Sequence, residues 1–234
     1  MVKLIWRVLG IMLDRLELLV SDKIDNIKKL HVLILGLGGV GGYALESIVR
    51  CGISEVTIID SDKIDISNIN RQIIASTKTI GMYKVDAFKE RLLDINPNIK
   101  VNIIKEYITP DNIDTIFNGS VDYVIDCCDS INTKEAMIKY CISNNIKLIS
   151  SMGTGNKLHP ERLKIMKLKD TSYDPIAKRL RKYVRDNNIE DDIYVVCSDE
   201  EKVVDNVTTI PSNSFVPSVA GLLCTSFIIN DVIK

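Results

Sequence analysis

The stretch ILGLGGVGGYALES, residues 34–47, decides how the chain is read. Gly36, Gly38 and Gly41 fall in the spacing G-x-G-x-x-G, with Gly39 inside it. An apolar run, HVLILG (31–36), leads into the glycines, and a helical pattern, GYALESIVRC (42–51), leaves them. A second run, EVTIID (55–60), ends on Asp60, 19 positions after Gly41. Strand, tight turn, helix, strand and acid in that order predict a nucleotide-binding βαβ unit. In such a unit the glycines let backbone amides approach phosphate at a helix N-terminus, where the helix dipole favours negative charge. Asp60 is placed to accept hydrogen bonds from ribose hydroxyls. NAD, FAD and ATP all satisfy these features, so the loop alone leaves the nucleotide open.

Outward from the loop, strand-like and helix-like runs alternate. VNIIKEY (101–107), VDYVID (121–126) and IKLISS (146–151) are short and rich in β-branched residues. KVDAFKERLLDIN (84–96) and SINTKEAMIKYCISNN (130–145) have helical spacing. This alternation predicts an α/β, Rossmann-like fold, a mainly parallel sheet with helices on both faces. Ligands of such sheets bind beyond the carboxyl ends of the strands. Those ends carry Gly36, Asp60, Asp126 to Asp129 and Ser151 to Gly153, so four segments converge on one crevice.

From about residue 155 the pattern changes. RLKIMKLKD (162–170) reads as an edge strand and DIYVVCS (192–198) as another strand. DPIAKRLRKYVRDNN (174–188) reads as a helix with Asp174 as N-cap and Pro175 in its first turn. On it Lys178, Arg181, Lys182 and Arg185 form one basic face, able to track RNA phosphates. A polar loop follows over 199–214, and a last helix starts near Pro217. One domain is expected: a helical segment over 1–30, a nucleotide-binding core over 31–153, and a C-terminal elaboration over 154–234.

The 234 residues are 46% hydrophobic and 26% charged, enough for a substantial core, and a net charge of −1 gives no global field toward nucleic acid or membrane. Six cysteines without C-x-x-C spacing and two histidines disfavour structural zinc. They read as reduced thiols in a cytoplasmic protein. Cys127 and Cys128 read as packing residues, and Asn156 and Lys157 as crevice residues facing a substrate. The apolar start MVKLIWRVLGIML is interrupted by Arg7, and the C-terminal SVAGLLCTSFIINDVI carries Ser226, Asn230 and Asp231. The first reads as an interfacial or packing helix or an extended translation start, and the second as a buried helix, with no stable membrane insertion expected.

DSDKIDISNINRQ, residues 60–72, narrows the nucleotide. An NAD site does not need a polar cluster after the second strand; a site that attacks the α-phosphate of ATP does. Arg71 can contact phosphate oxygens bidentately, Asn68 and Gln72 can orient phosphates, and Lys84 adds a point charge. Asp129 can hold Mg²⁺ through its carboxylate. Taken singly, Arg71 and Lys84 also read as solvated charges and Asp129 as a helix cap. Grouped at one end of one sheet, they read as a Mg·ATP site.

GLGGVGG, DSDKIDISNINRQ, GMYK and DCCDS together resemble the adenylate-forming family of ubiquitin-activating E1 enzymes and their bacterial relatives in molybdopterin and thiamine biosynthesis. The resemblance implies an E1-like adenylation domain. In it Gly39 and its neighbours contact phosphates, Asp60 the ribose, Asn68, Arg71 and Lys84 the triphosphate, and Asp129 Mg²⁺. Arg15, in DRLELLVSD, matches an arginine that the family's dimers donate to the other subunit's ATP, which implies a homodimer. Gly42 departs from the family, which usually has serine there. SSMGTGNKLHPERLKI, DTSYDPIAKRLRKYVR and SFVPSVAGLL resemble the family's tRNA threonylcarbamoyladenosine dehydratases. This implies ATP-dependent cyclisation of threonylcarbamoyladenosine next to the tRNA anticodon, with Arg71, Lys84 and Arg15 acting in catalysis. The implied partners are tRNA, a second copy and a sulfur-transfer protein. The alternatives are activation of a small ubiquitin-like sulfur carrier and, less favoured, an NAD-dependent oxidoreductase.

Overall fold

Alternate residues of β1 (His31–Leu35) leave the sheet on opposite faces, as the pleat of a strand requires. Val32 and Ile34 enter one core, and Leu33 and Leu35 enter another. Both faces of the central strands are therefore covered, which explains why these runs are apolar at every position.

The computed structural model describes residues 12–117 and 120–234. Around β1 it places β2 (Glu55–Ile59), β3 (Lys100–Ile104), β4 (Tyr123–Asp126), β5 (Lys147–Ser151), β6 (Leu163–Lys167) and β7 (Tyr194–Ser198). The helices are α1 (Asp14–Val20), α2 (Ile24–Lys28), α3 (Gly41–Arg50), α4 (Lys84–Ile95), α5 (Ile113–Ile116), α6 (Ile131–Ser143), α7 (Pro175–Asp186) and α8 (Val216–Val232). The seven strands form one sheet in the order β3-β2-β1-β4-β5-β7-β6. Every pairing is parallel except β6 against β7, where the expected edge strand runs antiparallel. The result is a Rossmann-like α/β fold.

Register sets the functional end of the sheet. Leu35 lies opposite both Ile59 and Asp126, and Asp126 opposite Ser150. Gly36, Asp60 and Cys127 therefore leave their strands at one level. The strand over 101–107 stops at Ile104, because Glu106, Tyr107 and Ile108 turn to line a crevice. The short α5 was not legible as a helix from its sequence.

One core joins the sheet to α3, α4 and α8; a second joins it to α5 and α6; a third lies between α6, α7 and β7. The apolar C-terminal segment is α8, with Ala220, Cys224 and Ile228 fully buried. Gly221 permits its contact with α3, since a Cβ there would lie 2.3 Å from the Val40 carbonyl oxygen. Thr225 Oγ1 donates to the Ala44 carbonyl at 3.0 Å across the same contact. Among the described residues no helix is long and apolar enough to cross a membrane. Residues 1–11, most of the apolar N-terminal run, lie outside the described residues.

Candidate functional site

The glycine loop forms one lip of a crevice at the carboxyl ends of β1, β2 and β4. Gly36 leaves β1 with φ +83°, and a Cβ on it would meet the Cys127 backbone at 3.0 Å. A Cβ on Gly41 would lie 1.8 Å from the Gly36 carbonyl oxygen. Neither position admits a side chain, so the loop passes close to the next strand and opens α3 toward the crevice. Gly36, Gly38 and Gly39 line a cavity of about 520 Å³, within the range of small-molecule sites.

Asp60 ties this lip to β2. Its Oδ2 accepts the Leu37 N–H at 2.7 Å and its Oδ1 the Asp62 N–H at 2.8 Å. Lys84 opens α4 and is nearly buried. Its Nζ lies 2.7 Å from Asp62 Oδ2 and 3.5 Å from Asp60 Oδ2. Asn68 closes a capping box in which its Oδ1 accepts the Asp65 N–H at 3.1 Å. The box shapes the turn that presents Arg71. Arg71 Nη1 donates to the Ser67 carbonyl and to Asn70 Oδ1, both at 2.9 Å, which holds the guanidinium at the cavity wall. Gln72 is buried, lines the cavity, and its Oε1 has no hydrogen-bond partner. Asp129 is exposed on the same wall, with no ion-pair partner among the described residues. The crevice thus brings together Gly36, Gly38, Gly39, Asp60, Asn68, Arg71, Gln72, Lys84 and Asp129, with Gly41 shaping the turn behind them.

The donor set fits a nucleotide polyphosphate. Three cations, Lys63, Arg71 and Lys84, and a glycine lip face one space. Asp129, exposed and without an ion-pair partner among the described residues, offers the hard oxygen donor that a magnesium ion takes. Arg15 is exposed on α1 and does not line its own chain's crevice.

Three sequence expectations are corrected here. Asn156 and Lys157 do not point at a substrate. Asn156 Oδ1 accepts the Val203 and Val204 N–H groups at 3.1 and 2.9 Å, and Lys157 Nζ donates to the Glu200 carbonyl at 2.6 Å. Both fasten the 199–214 loop. Arg181 leaves the basic face, because its Nη1 turns inward to the Thr171 carbonyl at 2.9 Å.

Cys127 and Cys128 touch the crevice but also pack into the two main cores. The neighbouring Cys224 thiol and burial push the Cys127 thiol well up, and burial pushes Cys128 up. The raised pKa disfavours the thiolate at both positions, so neither is set up as a nucleophile. The sequence reading missed Lys134 on α6. Its ammonium is fully buried beneath the crevice, bonded to Asp126, Ser150 and the Ser151 carbonyl. It also missed Glu106 and Tyr107, which line the crevice from the segment after β3.

Known proteins share this fold. The model of the ThiF family matches residues 13–223. The chain is 37% identical to the tRNA threonylcarbamoyladenosine dehydratase of Bacillus subtilis, over 92% of this chain and 91% of that one. It is similar to the crystal structure of the E. coli tRNA N6-threonylcarbamoyladenosine dehydratase TcdA in complex with ATP. That match has a TM-score of 0.89 and 29% identity, over 97% of this chain and 94% of that one. The adenylyltransferase and sulfurtransferase UBA4 of Candida glabrata is 33% identical over 56% of this chain and 30% of its own length. Glycine lip, crevice and sheet order, together with these matches, make the chain a member of the ThiF family.

Proposed function

We propose that the chain is an ATP-dependent tRNA threonylcarbamoyladenosine dehydratase. The observation that carries this reading is the convergence of the glycine lip, Arg71, Lys84 and Asp129 on one crevice. It is supported by the likeness to named dehydratases over nearly the whole chain. A sulfur-carrier adenylyltransferase is the weaker reading, since the UBA4 match covers little more than half of the chain.

In the proposed reaction the glycine lip and the N-terminus of α3 hold phosphates, and Asp60 accepts from the ribose. Arg71 and Lys84 offset charge on the triphosphate and hold pyrophosphate as it leaves. Asp129 would hold Mg²⁺, which supplies further charge neutralisation when bound. A threonine carboxylate oxygen attacks the α-phosphorus, and the bond to pyrophosphate breaks. The ureido group then attacks the activated carbonyl carbon and loses its proton, and the bond to AMP breaks. The ring closes with net loss of water, its oxygen leaving on AMP. Catalysis by positioning and electrostatics suffices, and no covalent cysteine is needed.

The same proposal includes a homodimer in which Arg15 of one copy reaches the other's crevice. The exposed Leu18 and Leu19 beside it on α1 give such a contact an apolar surface. It includes a cytoplasmic location, a sulfur-transfer protein as accessory partner, and residues 31–153 and 154–234 as core and elaboration of one domain. The test is AMP release by the purified chain. Release that requires tRNA bearing threonylcarbamoyladenosine supports the reading. Release driven instead by a small carrier protein, or tighter binding of NAD than of ATP, overturns it.

A further inference from the structure

Tyr173 directly precedes Asp174, the N-cap of the basic helix α7. Its φ is +56°, and among the described residues it is the only aromatic with a left-handed backbone. The other non-glycine residues there are Ser21 and four asparagines, Asn145, Asn156, Asn188 and Asn206. Asparagine takes this conformation readily; a bulky residue is strained in it. Asp174, nearly fully buried, enforces the strain. Its Oδ1 accepts the Ala177 N–H at 2.8 Å, its Oδ2 the Gly153 N–H at 3.0 Å, and its own N–H donates to the Ser172 carbonyl at 2.7 Å.

The Tyr173 ring serves no core. Tyr173 is 67% exposed, and its hydroxyl has no hydrogen-bond partner among the described residues. Gly153, bonded to Asp174, directly precedes Thr154 and Gly155 on the crevice wall. From this rim α7 carries Lys178, Arg179, Lys182 and Arg185, all exposed. Lys182 and Arg185 share Asp186, whereas Lys178 and Arg179, nearer the rim, have no acidic partner among the described residues. Lys178 and Arg185 are about 10 Å apart along the helix axis.

An exposed ring five and six positions before unneutralised cations is chemistry able to bind an unpaired base and the phosphates flanking it. We propose that Tyr173 stacks on an unpaired anticodon-loop base next to the modified adenosine. Lys178 and Arg179 hold the adjoining phosphates, so the loop is delivered over the crevice rim. This rests on the dehydratase reading.

The test measures tRNA binding by fluorescence anisotropy over a salt series, with ATP affinity and melting temperature as controls. Tyr173→Asn removes the ring yet suits the backbone. It is expected to weaken tRNA binding by about 5- to 100-fold. Its melting temperature should equal or exceed wild type, and ATP affinity should not change. Tyr173→Phe should bind as wild type. Lys178→Gln with Arg179→Gln should lower the salt slope by about 1 to 2. Wild-type binding by Tyr173→Asn, or a parallel loss of ATP affinity, overturns the docking role. If wild type cyclises tRNA while Tyr173→Asn matches it throughout, only this inference falls. If wild type neither binds nor cyclises tRNA, the dehydratase reading falls with it.

Discussion

Lys134 Nζ lies 2.9 Å from Asp126 Oδ2, and both side chains are fully buried. Burial alone would disfavour the ammonium, but Asp126 offsets this and holds its pKa above the ordinary lysine value. The pair joins β4 to β5, because Lys134 also donates to Ser150 Oγ at 3.0 Å and to the Ser151 carbonyl at 2.9 Å. Asp126 Oδ1 accepts the Cys128 N–H at 3.1 Å, so the same carboxylate shapes the loop that carries Asp129. Lys134→Met should strand a buried carboxylate and cost about 3–5 kcal/mol by chemical denaturation. Lys134→Met with Asp126→Leu should lose less than the single change. A single variant as stable as wild type would contradict the pairing.

Gly42 is packed, not merely lacking a hydroxyl. A Cβ there would lie 2.9 Å from Phe88 Cζ and 3.2 Å from Ile73 Cγ2. Gly42→Ser should therefore destabilise the chain by about 1–3 kcal/mol through overpacking. Phe88→Leu in the same chain should recover part of that loss in thermal denaturation.

The central fold was legible in the sequence because its signals are local. Gly36, Gly41 and Asp60 have fixed spacing, and Asp174 with Pro175 marks a helix start that the structure reproduces. The unread parts depend on distant partners. Lys134 looks like a surface residue of an ordinary helix until β4 and β5 bring Asp126 and Ser150 to it. Arg181 fits the basic stripe by periodicity, yet Thr171, ten residues away, turns it inward. Asn156 and Lys157 resembled crevice residues because the loop they fasten, 43 or more positions on, has no pattern of its own.

Tyr123 Oη donates to Asp231 Oδ2 at 2.6 Å, and Lys147 Nζ donates to the same oxygen at 2.6 Å. Burial and Asp231 push the phenol up to about 12. A raised phenol pKa stabilises the fold below the unfolded value, about 10, and that stability fades as pH rises toward the folded value. Tyr123→Phe should be roughly 1–2 kcal/mol less stable at neutral pH. The difference should narrow as pH rises above about 10. Lys147 and Tyr123 hold the Asp231 carboxyl below its ordinary value. Its contribution is therefore present above the ordinary carboxylate range and lost on acidification, which urea unfolding against pH will read.

Arg71→Ala should reduce tRNA-dependent pyrophosphate release by about 100-fold or more, the size of one lost transition-state contact. Arg71 bonds only within its own turn, to Ser67 and Asn70, so stability should change by no more than about 0.5 kcal/mol. Full turnover in a folded Arg71→Ala chain would remove the phosphate role.

The dehydratase reading is tested most directly by the mass of the nucleoside it makes. Purified chain, ATP, Mg²⁺ and tRNA bearing threonylcarbamoyladenosine are incubated, and the tRNA is digested. The expected product is a nucleoside lighter by one water, formed only with ATP and absent with Arg71→Ala. Threonylcarbamoyladenosine recovered unchanged from a reaction with folded, ATP-binding wild-type chain would contradict the proposed function.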